Sequence, residues 1–395
     1  MKFKGAFMKY LILGNGIAGI SAAISAREHD ETGEISVVTK SPMPFYYRIR
    51  LIEYLAKKTP IEKLIAYGDA YYDDKKIKVT LNKEAVRIDS KNKKVEFSDG
   101  SMMSYDRLLL ATGARPRYPD IEGMDKEGIL KFRGASDSDE IIHHIEICDR
   151  VVVLGGGVLG LEAANSLVQL GKDVTVVESA DRLLHRQLGR EGAEILQRTL
   201  EEKGIKFILG KTIKRIVGSK RVEGVEFEDG TIFDTGCIVL SAGIIPRLEL
   251  CESAGIAFNR GIIVDEHMET NIKGIFAAGD AAEFKGTLYG LWAPSKEQGE
   301  VAGGNMTGIK IRNYNPTVPE LRLKITGISL FSGGNIDEDG AVLYKYNKDG
   351  IFRKFFVRDN KIVGAILIGD MKTSMMAGHF IRSKEGPEVL YGLYE

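Results

Sequence analysis

The hydrophobic pattern of the chain contains one internal repeat. In each copy a basic residue and an apolar run of four residues lead into a glycine-rich turn and then into a longer segment of apolar and small residues. An apolar run of that length predicts a buried strand, and the longer segment predicts a helix. The strand, turn and helix are predicted at 9–13, 14–19 and 20–28 in the first copy and at 150–154, 155–160 and 161–170 in the second.

Both turns have the glycine spacing of the dinucleotide-binding fingerprint, in the strand–turn–helix context that it requires. The first glycine permits the tight turn, the second lets a pyrophosphate approach the backbone, and the third lets helix and strand pack closely. The helix N-terminus then attracts the negative charge. The predicted contacts are Gly14, Gly16 and Gly19 in the first turn and Gly155, Gly157, Val158, Leu159 and Gly160 in the second.

The strand that follows each helix predicts how each ribose is held. The predicted strand 173–177 ends at Glu178, whose carboxylate is placed to accept hydrogen bonds from both ribose hydroxyls. The same charge would repel a 2′-phosphate, so we expect NADH to be preferred over NADPH at the second turn. The run 34–38 ends instead at Thr39 and Lys40, without a carboxylate, so neutral or backbone groups must hold the first ribose.

Three further segments complete a set of five motifs. Residues 111–116 (ATGARP) and 241–246 (SAGIIP) each follow an apolar strand, and residues 270–280 end in Gly279 and Asp280. The last of these resembles the late FAD motif of flavoproteins with two dinucleotide sites, in which the aspartate binds the ribitol. Together the motifs resemble those of the pyridine nucleotide-disulphide oxidoreductase superfamily over about three quarters of the chain.

This resemblance implies FAD on the first fold and NADH on the second. The segment 44–51 (PFYYRIRL) is similar to a signature of NADH:rubredoxin reductases and of the flavin module of assimilatory nitrite reductases. The helix predicted at 293–300 would begin beside the flavin ring, and Trp292 would either flank the ring or pack in the core. Further FAD contacts implied are Thr39, Lys40, Arg48, Ala111, Thr112, Gly113, Gly279, Asp280, Trp292 and Ala293, and further NADH contacts are Glu162, near the nicotinamide, Glu178 and Gly243.

The predicted fold class is α/β, with two Rossmann-like domains that bind FAD and NAD(P) and a small C-terminal α+β domain. Strand-like runs in the C-terminal part are predicted at 321–330, 341–346, 352–357 and 362–368. The FAD-binding domain is predicted at 1–115 and 241–310, the NAD-binding domain at 116–240 and the C-terminal domain at 311–395.

The positions of the cysteines bear on the chemistry. Disulphide reductases carry a cysteine pair, and NADH peroxidases a single cysteine, in the segment that here reads SPMPFYYR at 41–48. Without sulfur there, electrons must leave directly from the flavin, and no catalytic residue beyond the flavin and no metal is required. The three cysteines, Cys148, Cys237 and Cys251, are expected to be buried among apolar neighbours.

Charge and hydropathy exclude several classes of partner. The chain has 55 Lys and Arg against 55 Asp and Glu, so no basic field attracts nucleic acid or an anionic membrane. No apolar run is long enough to span a bilayer. The apolar stretch 10–26 follows basic residues as in a signal peptide, but it contains the first glycine turn. A cytoplasmic protein is favoured by the three isolated cysteines, which fit no metal-ligand or redox spacing.

The function expected from the sequence is an FAD-dependent oxidoreductase that takes hydride from NADH and passes electrons to a small acceptor protein, such as rubredoxin or a similar iron-sulfur protein. Two alternatives stay open within the same chemistry, an NADH oxidase and the flavoprotein component of a nitrite reductase. A third alternative, from another class, is an interaction protein that senses the redox state through NADH. The oligomeric state, monomer or homodimer, is also open.

Overall fold

The computed structural model describes residues 7–309, 312–316, 320–323, 325 and 327–393. These residues form two compact units. The first contains the described residues of Met1–Arg50, Pro60–Arg115 and Ile244–Pro316, and the second contains those of Leu51–Thr59, Pro116–Gly243 and Thr317–Glu395. Each unit is therefore assembled from segments that are distant in sequence.

Strands outnumber helices among the described residues. The strands, in chain order, are β1 (Lys9–Leu13), β2 (Glu34–Val38), β3 (Ile77–Thr80), β4 (Ala85–Asp89), β5 (Lys94–Phe97), β6 (Met102–Ser104), β7 (Arg107–Leu110), β8 (Ala114–Pro116), β9 (Ile129–Lys131), β10 (Arg150–Leu154), β11 (Asp173–Glu178), β12 (Lys206–Leu209), β13 (Ile213–Val217), β14 (Gly224–Phe227), β15 (Ile232–Asp234), β16 (Cys237–Leu240), β17 (Ile244–Pro246), β18 (Ile262–Val264), β19 (Ile275–Ala277), β20 (Ala282–Phe284), β21 (Glu320–Arg322), β22 (Leu330–Gly334), β23 (Val342–Lys348), β24 (Ile351–Arg358) and β25 (Lys361–Ile368). The helices are α1 (Ile17–His29), α2 (Leu51–Leu55), α3 (Asp69–Asp74), α4 (Ala135–His144), α5 (Val158–Gln169), α6 (Arg190–Glu201), α7 (Cys251–Ala254), α8 (Trp292–Thr307) and α9 (Met371–Ser383).

The first unit is built on a parallel sheet with the order β19-β7-β1-β2-β3. Its central strand β1 lies between β2 and β7 and is buried from Tyr10 to Leu13, as expected for a parallel strand covered on both faces. Helices α1 and α8 pack together on this sheet. A Cβ at Gly299 or Gly303 would lie 2.2 or 2.1 Å from a backbone oxygen of α1, so only glycine allows this approach.

The second unit repeats that design. Its parallel sheet has the order β12-β11-β10-β16-β9, with β10 between β11 and β16. In both units a three-stranded antiparallel meander precedes the third strand of the central trio, β4-β5-β6 before β7 and β13-β14-β15 before β16. The two copies of the hydrophobic repeat therefore fold into the same topology.

Both glycine turns are placed by the same backbone hydrogen bonds. The N–H of Gly14 donates to the carbonyl of Val38 at 2.8 Å, and the N–H of Gly155 donates to Val177 at 2.8 Å. The strands β1 and β10 have the predicted bounds. The helices α1 and α5 begin three residues earlier than predicted, because the last residues of each glycine turn already have helical geometry.

The segment 51–59 groups with the second unit. The hydroxyl of Ser166 in α5 donates to the carbonyl of Ile52 in α2 at 3.1 Å, and Leu51 and Leu55 are buried. The sequence prediction instead places this segment in the FAD-binding domain with the first glycine turn. The four-part division of the chain stays a prediction.

The C-terminal segment forms an antiparallel sheet, β21-β22-β25-β24-β23, with α9. It packs beside α6, because the hydroxyl of Ser332 donates to the carbonyl of Gln187 and Lys345 pairs with Glu191, both at 2.5 Å. The run 321–330 is not one strand as predicted, since Gly327 adopts a φ of +81° between β21 and β22. No helix among the described residues is long and apolar enough to cross a membrane.

Candidate functional site

The first glycine turn, residues 14–19, has the geometry of a phosphate-binding loop. Gly14 has a φ of +111°, and a Cβ there would lie 2.2 Å from the carbonyl oxygen of Ala111. A Cβ at Gly19 would lie 1.9 Å from the oxygen of Gly14, so this glycine lets α1 approach the strand. A Cβ at Gly16 would meet nothing within 4 Å, which leaves the backbone open for a ligand.

The second glycine turn, residues 155–160, reproduces these contacts. A Cβ at Gly155 would lie 2.4 Å from the oxygen of Ser241, and one at Gly160 would lie 2.1 Å from the oxygen of Gly155. Gly157 again faces open space. Gly16 and Gly157 are the N-caps of α1 and α5, and neither helix has a side-chain cap, so the first amides of each helix can bind an anion.

The two turns differ at the end of the next strand. In the second unit the carboxylate of Glu178 accepts hydrogen bonds from the N–H groups of Gly156 and Ala180 at 2.8 and 2.9 Å. In the first unit Thr39 stands after β2, and its hydroxyl oxygen accepts from the N–H of Ser41 at 3.2 Å. The ammonium of Lys40, which is half exposed, pairs with Glu84 at 3.0 Å. The predicted absence of an acidic acceptor at the first turn is therefore a real difference between the copies.

Asn15 holds the loop beside the first glycine turn. Its side-chain amide donates to the carbonyl of Met43 at 2.8 Å, and the residue is 8% exposed. In the second turn this position is Gly156, whose N–H contacts Glu178 instead. Asn15 thus ties the turn to the segment 41–48, in which the related disulphide reductases carry their cysteines.

The Gly279–Asp280 motif lies at the end of β19 against both α1 and α8. The N–H of Gly279 donates to the side-chain oxygen of Gln298 at 2.9 Å, and a Cβ at Gly279 would lie 2.9 Å from the Cβ of Ala18. The hydroxyl of Ser295 donates to the carboxylate of Asp280 at 3.4 Å. The aspartate is thus held on the same side of the sheet as the first glycine turn.

The predicted FAD motifs converge because their strands are neighbours. Strands β1, β7 and β19 are parallel and adjacent, so the glycine turn, the 111–113 segment and the Gly279–Asp280 motif all follow the carboxyl ends of the sheet. Ala111 is buried, and Gly113 has a φ of +69°. The hydroxyl of Thr112 donates to the carbonyl of Arg247 at 3.4 Å.

Three other predicted FAD contacts lie in the same unit. Arg48 is exposed in a 3₁₀ turn, Arg48–Arg50. Trp292 begins α8 and is half-buried, and its indole N–H has no hydrogen-bond partner among the described residues. Ala293 is exposed. The first residue of α8 therefore offers an unused donor at the helix end that the sequence places near the flavin.

The predicted NADH contacts lie in the second unit. Glu162 is 8% exposed in the second turn of α5, and Gly243 is exposed with a φ of +95° after β16. Because β10, β11 and β16 are adjacent and parallel, the second glycine turn, Glu178 and Gly243 follow the same edge of the sheet. This edge has the geometry of a second dinucleotide site.

Both glycine turns thus fit a pyrophosphate, with an open backbone at the middle glycine and uncapped helix amides beside it. A family model described as pyridine nucleotide-disulphide oxidoreductase matches residues 8–299 of this chain. The chain belongs to the pyridine nucleotide-disulphide oxidoreductase family. Members of this family are FAD-dependent oxidoreductases that use NADH. A second model, described as rubredoxin NAD+ reductase C-terminal domain, matches residues 319–385.

This chain is similar to several relatives whose names give different electron acceptors. A nitrite reductase [NAD(P)H] of Bacillus subtilis is 38% identical over 365 residues, which are 91% of this chain and 45% of the relative. An NADH oxidase of Methanocaldococcus jannaschii is 34% identical, with 92% and 88% covered. An NADH-rubredoxin oxidoreductase of Clostridium acetobutylicum is 31% identical, with 92% and 91% covered. The chain spans about half the length of the Bacillus subtilis relatives that it matches.

Solved structures agree with the fold. The NADH:rubredoxin oxidoreductase of Clostridium acetobutylicum has a TM-score of 0.82 at 30% identity, with 96% of each chain covered. A covalent putidaredoxin reductase–putidaredoxin complex has a TM-score of 0.88 at 25% identity, with 98% of this chain and 96% of that chain covered. The predicted α/β fold with a C-terminal domain, and the family itself, are confirmed.

Sequence reasoning missed the residues that support the motifs. Gln298 and Ser295 are buried and contact the Gly279–Asp280 motif, but neither belongs to a glycine fingerprint. Asn15 lies inside the first glycine turn, but its contact with Met43 was not predicted. Ser295 and Gln298 are three positions apart in α8, so they lie on one face of the helix. Two polar residues at that spacing, in a helix with many small residues, were the sequence signal that could have indicated this contact.

Proposed function

We propose that this chain oxidises NADH with bound FAD and passes the electrons to a small iron-sulfur protein, with rubredoxin as the first choice. The observation that carries the proposal is a pair of phosphate-binding turns with no cysteine in the segment beside the first one. The similarity to the NADH-rubredoxin oxidoreductase and the match to a rubredoxin reductase C-terminal domain support the choice of acceptor.

We assign FAD to the first unit. The amides at the start of α1 and the exposed guanidinium of Arg48 would hold its pyrophosphate, and Asp280 would accept hydrogen bonds from its ribitol. The hydroxyl of Thr39 and nearby backbone would hold its ribose. The Gln298–Gly279 contact would then keep the turn that presents Asp280 in place.

We assign NADH to the second unit, with Glu178 as the ribose acceptor. Two nearby cations are occupied, because Arg182 pairs with Asp181 at 2.8 Å and Arg190 pairs with the same carboxylate at 2.5 Å. Arg186, which is exposed, could soften the preference against a 2′-phosphate. The carboxylate of Glu178 would repel a phosphate. The charges around this site therefore favour NADH over NADPH.

When bound, the flavin accepts hydride from the nicotinamide and can release electrons one at a time. The chain's contribution is alignment and electrostatics. Helix α8 begins without a side-chain cap, so the N–H groups of Trp292 and Ala293 are available at its positive end. Placed at the pyrimidine side of the ring, they would stabilise negative charge on the reduced flavin.

The surface beside Trp292 is open to a partner. A groove of about 480 Å³ runs along α1 and α8 in the first unit. Its aromatic lining is Phe45, Tyr47, Tyr67, Tyr71 and Trp292. An acceptor could therefore approach the α8 end of the site without first displacing any of the described segments of this unit.

Anaerobic stopped-flow spectroscopy tests the acceptor. The holoenzyme is reduced with NADH and mixed with rubredoxin, and rubredoxin reduction is followed together with flavin reoxidation. We expect reoxidation to be much faster than with buffer and first order in rubredoxin. Reoxidation no faster than in air-saturated buffer alone would exclude rubredoxin as the acceptor.

A second candidate is supported by another relative that matches over most of both chains. The NADH oxidase of Methanocaldococcus jannaschii shares 34% identity, with 88% of its length covered. If oxygen is the acceptor, flavin reoxidation by air will be fast and rubredoxin will add nothing. The nitrite reductase relatives suggest a third outcome, in which reoxidation requires a separate nitrite-reducing protein.

A further inference from the structure

Two cysteines that are distant in sequence meet in the second unit. Cys148 lies just before β10, and Cys237 is the first residue of β16. These strands are adjacent and parallel, with Val151 opposite Cys237. Because the second glycine turn follows the carboxyl end of β10, the cysteines lie at the opposite edge of the sheet from the nucleotide site.

The two cysteines are neighbours in space. The sulfur of Cys148 lies against Gly236, the residue that precedes Cys237. The thiol of Cys148 can itself donate to the carbonyl oxygen of Arg150, at 3.0 Å. Cys148 is 8% exposed and Cys237 is fully buried. A Cβ at Gly236 would lie 2.7 Å from the sulfur of Cys148, so this glycine makes the space that the pair occupies.

The pair is asymmetric in a way that suits oxidation. A hydrogen bond from Cys237 lowers the pKa of Cys148 and outweighs the opposing effect of burial, with smaller contributions from the backbone of Gly236 and from Lys172. The same interaction, together with burial, raises the pKa of Cys237. Cys148, which is the less buried of the two, is therefore the better nucleophile.

We propose that Cys148 and Cys237 form a reversible redox site, in which a peroxide oxidises Cys148 and Cys237 closes a disulfide. The Cys148 thiolate attacks one peroxide oxygen, the O–O bond breaks, and with hydrogen peroxide one water leaves as a sulfenic acid forms. The Cys237 thiol then attacks that sulfur and releases a second water. Two thiols and one hydrogen peroxide thus give one disulfide and two waters, and a dithiol reductant reverses the change.

The disulfide would join the start of β16 to the segment that precedes β10. These are the strands that lead to Ser241 and Gly155, which contact each other at the nucleotide edge. Cross-linking them restricts the unfolded chain and so stabilises the second unit. The site is separate from the flavin chemistry, because no step of the proposed electron transfer passes through it.

Peptide mapping of the oxidised holoenzyme tests this proposal. The enzyme is treated with substoichiometric hydrogen peroxide without NADH, denatured in iodoacetamide and digested. We expect a Cys148–Cys237 linked peptide, lighter than the two reduced peptides by two hydrogen atoms and lost after dithiothreitol. Burial raises the pKa of Cys251, in α7 of the first unit, to about 11, so this cysteine serves as an internal reference that stays alkylated.

Two variants separate the roles. In Cys237→Ser, oxidation should stop at a sulfenic acid on Cys148 that dimedone traps, whereas in Cys148→Ser, Cys237 should remain a thiol. The thermal unfolding midpoint of the oxidised wild type should be higher than that of the reduced protein. Treatment with dithiothreitol should bring it back to the reduced value. Absence of the linked peptide from the wild type, or oxidation of Cys251 as fast as Cys148, would overturn the proposal whether or not the variants fold.

Discussion

The carboxylate of Glu178 accepts a hydrogen bond at 2.8 Å from the backbone N–H of Gly156, inside the second glycine turn. The carboxylate that we propose as the ribose acceptor is thereby fixed against the second glycine turn before any nucleotide binds. The first unit has Thr39 after the corresponding strand and no such contact among its described residues. This pairing makes Glu178 the residue most directly tied to the choice of nicotinamide nucleotide.

Replacing Glu178 with Gln should keep the contact with Gly156 but remove the charge. A hydrogen bond to a charged group contributes roughly 1.5–3 kcal/mol, so kcat/KM for NADH should fall by about tenfold or more. The value for NADPH should fall less or rise, because repulsion of its 2′-phosphate is removed. Steady-state kinetics with both nucleotides measures this, and the exposed Glu228→Gln is the control. An unchanged NADH to NADPH ratio would contradict the role of Glu178.

Replacing the middle glycine of each turn with alanine should weaken the binding of one cofactor and leave the other unchanged. Gly16 and Gly157 have φ values of −71° and −79° and open space around a Cβ, so the variants should fold. Gly16→Ala should weaken FAD binding, whereas Gly157→Ala should keep the flavin and raise KM for NADH. Flavin content by absorbance and NADH kinetics distinguish the two. Loss of flavin from Gly157→Ala, with normal flavin in Gly16→Ala, would reverse our assignment.

Replacing Gly19, the third glycine of the first turn, with alanine should destabilise the fold itself. A Cβ at Gly19 would lie 1.9 Å from the oxygen of Gly14, so α1 would have to move away from β1. We expect a loss of roughly 3 kcal/mol or more in the free energy of unfolding. Urea denaturation of the Gly19→Ala apoprotein measures this loss, with the Gly16→Ala apoprotein as the comparison. Equal stabilities of the two variants would argue against the close packing.

Gln298 should affect flavin binding without touching the ring. Its side-chain oxygen accepts from the N–H of Gly279 at 2.9 Å in a buried position, so Gln298→Ala leaves that amide unsatisfied at a cost of about 1–3 kcal/mol. We expect a higher dissociation constant for FAD by titration of apoprotein. Gln298→Glu keeps an acceptor oxygen and should restore part of the affinity. If both variants bind FAD like the wild type, Gln298 has no positioning role.

The stability of the C-terminal sheet should depend on pH through Asp370. Burial alone would raise the pKa of Asp370, but hydrogen bonds from Thr373 and Arg353 outweigh it and the net pKa is lowered. This contribution is therefore present above the ordinary pKa of an aspartate and is lost as pH falls through the lowered value. Asp370→Asn should cost about 1–2 kcal/mol at pH 7 and less in acid.

Thermal unfolding between neutral and acid pH checks that prediction. Asp370 caps α9 through the N–H of Thr373 at 2.9 Å and pairs with Arg353 at 2.6 Å. The exposed Asp339→Asn is a matched control in the same segment. A stability difference between wild type and Asp370→Asn that is constant with pH would show that the carboxylate charge contributes nothing.

The elements most predictable from sequence were the buried parallel strands. Strands such as β1 and β10 are apolar after their first residue and are followed by a glycine turn, so both their bounds and their chemistry were visible locally. The fold class and the family followed from the same residues. The helix starts were missed by three residues because the first three helical residues belong to the glycine fingerprint, which was assigned to the turn.

What could not be predicted depends on contacts between distant segments. Gln298 supports Gly279 only because α8 packs against the end of β19. Cys148 and Cys237 meet only because β10 and β16 are neighbours, although both were correctly expected to be buried. The roles assigned to Arg48 and Glu162 stay predictions, because they depend on bound nucleotides.

The close approach of α1 and α8 has a consequence for how the flavin would be lost. With Gly299 and Gly303 against the backbone of α1, the elements that we propose for the phosphate end and the ring end of the FAD site pack closely together. We expect that neither helix can move away from the ligand without the other. Exchange of the prosthetic group should therefore be slow and should require the whole helix pair to come apart.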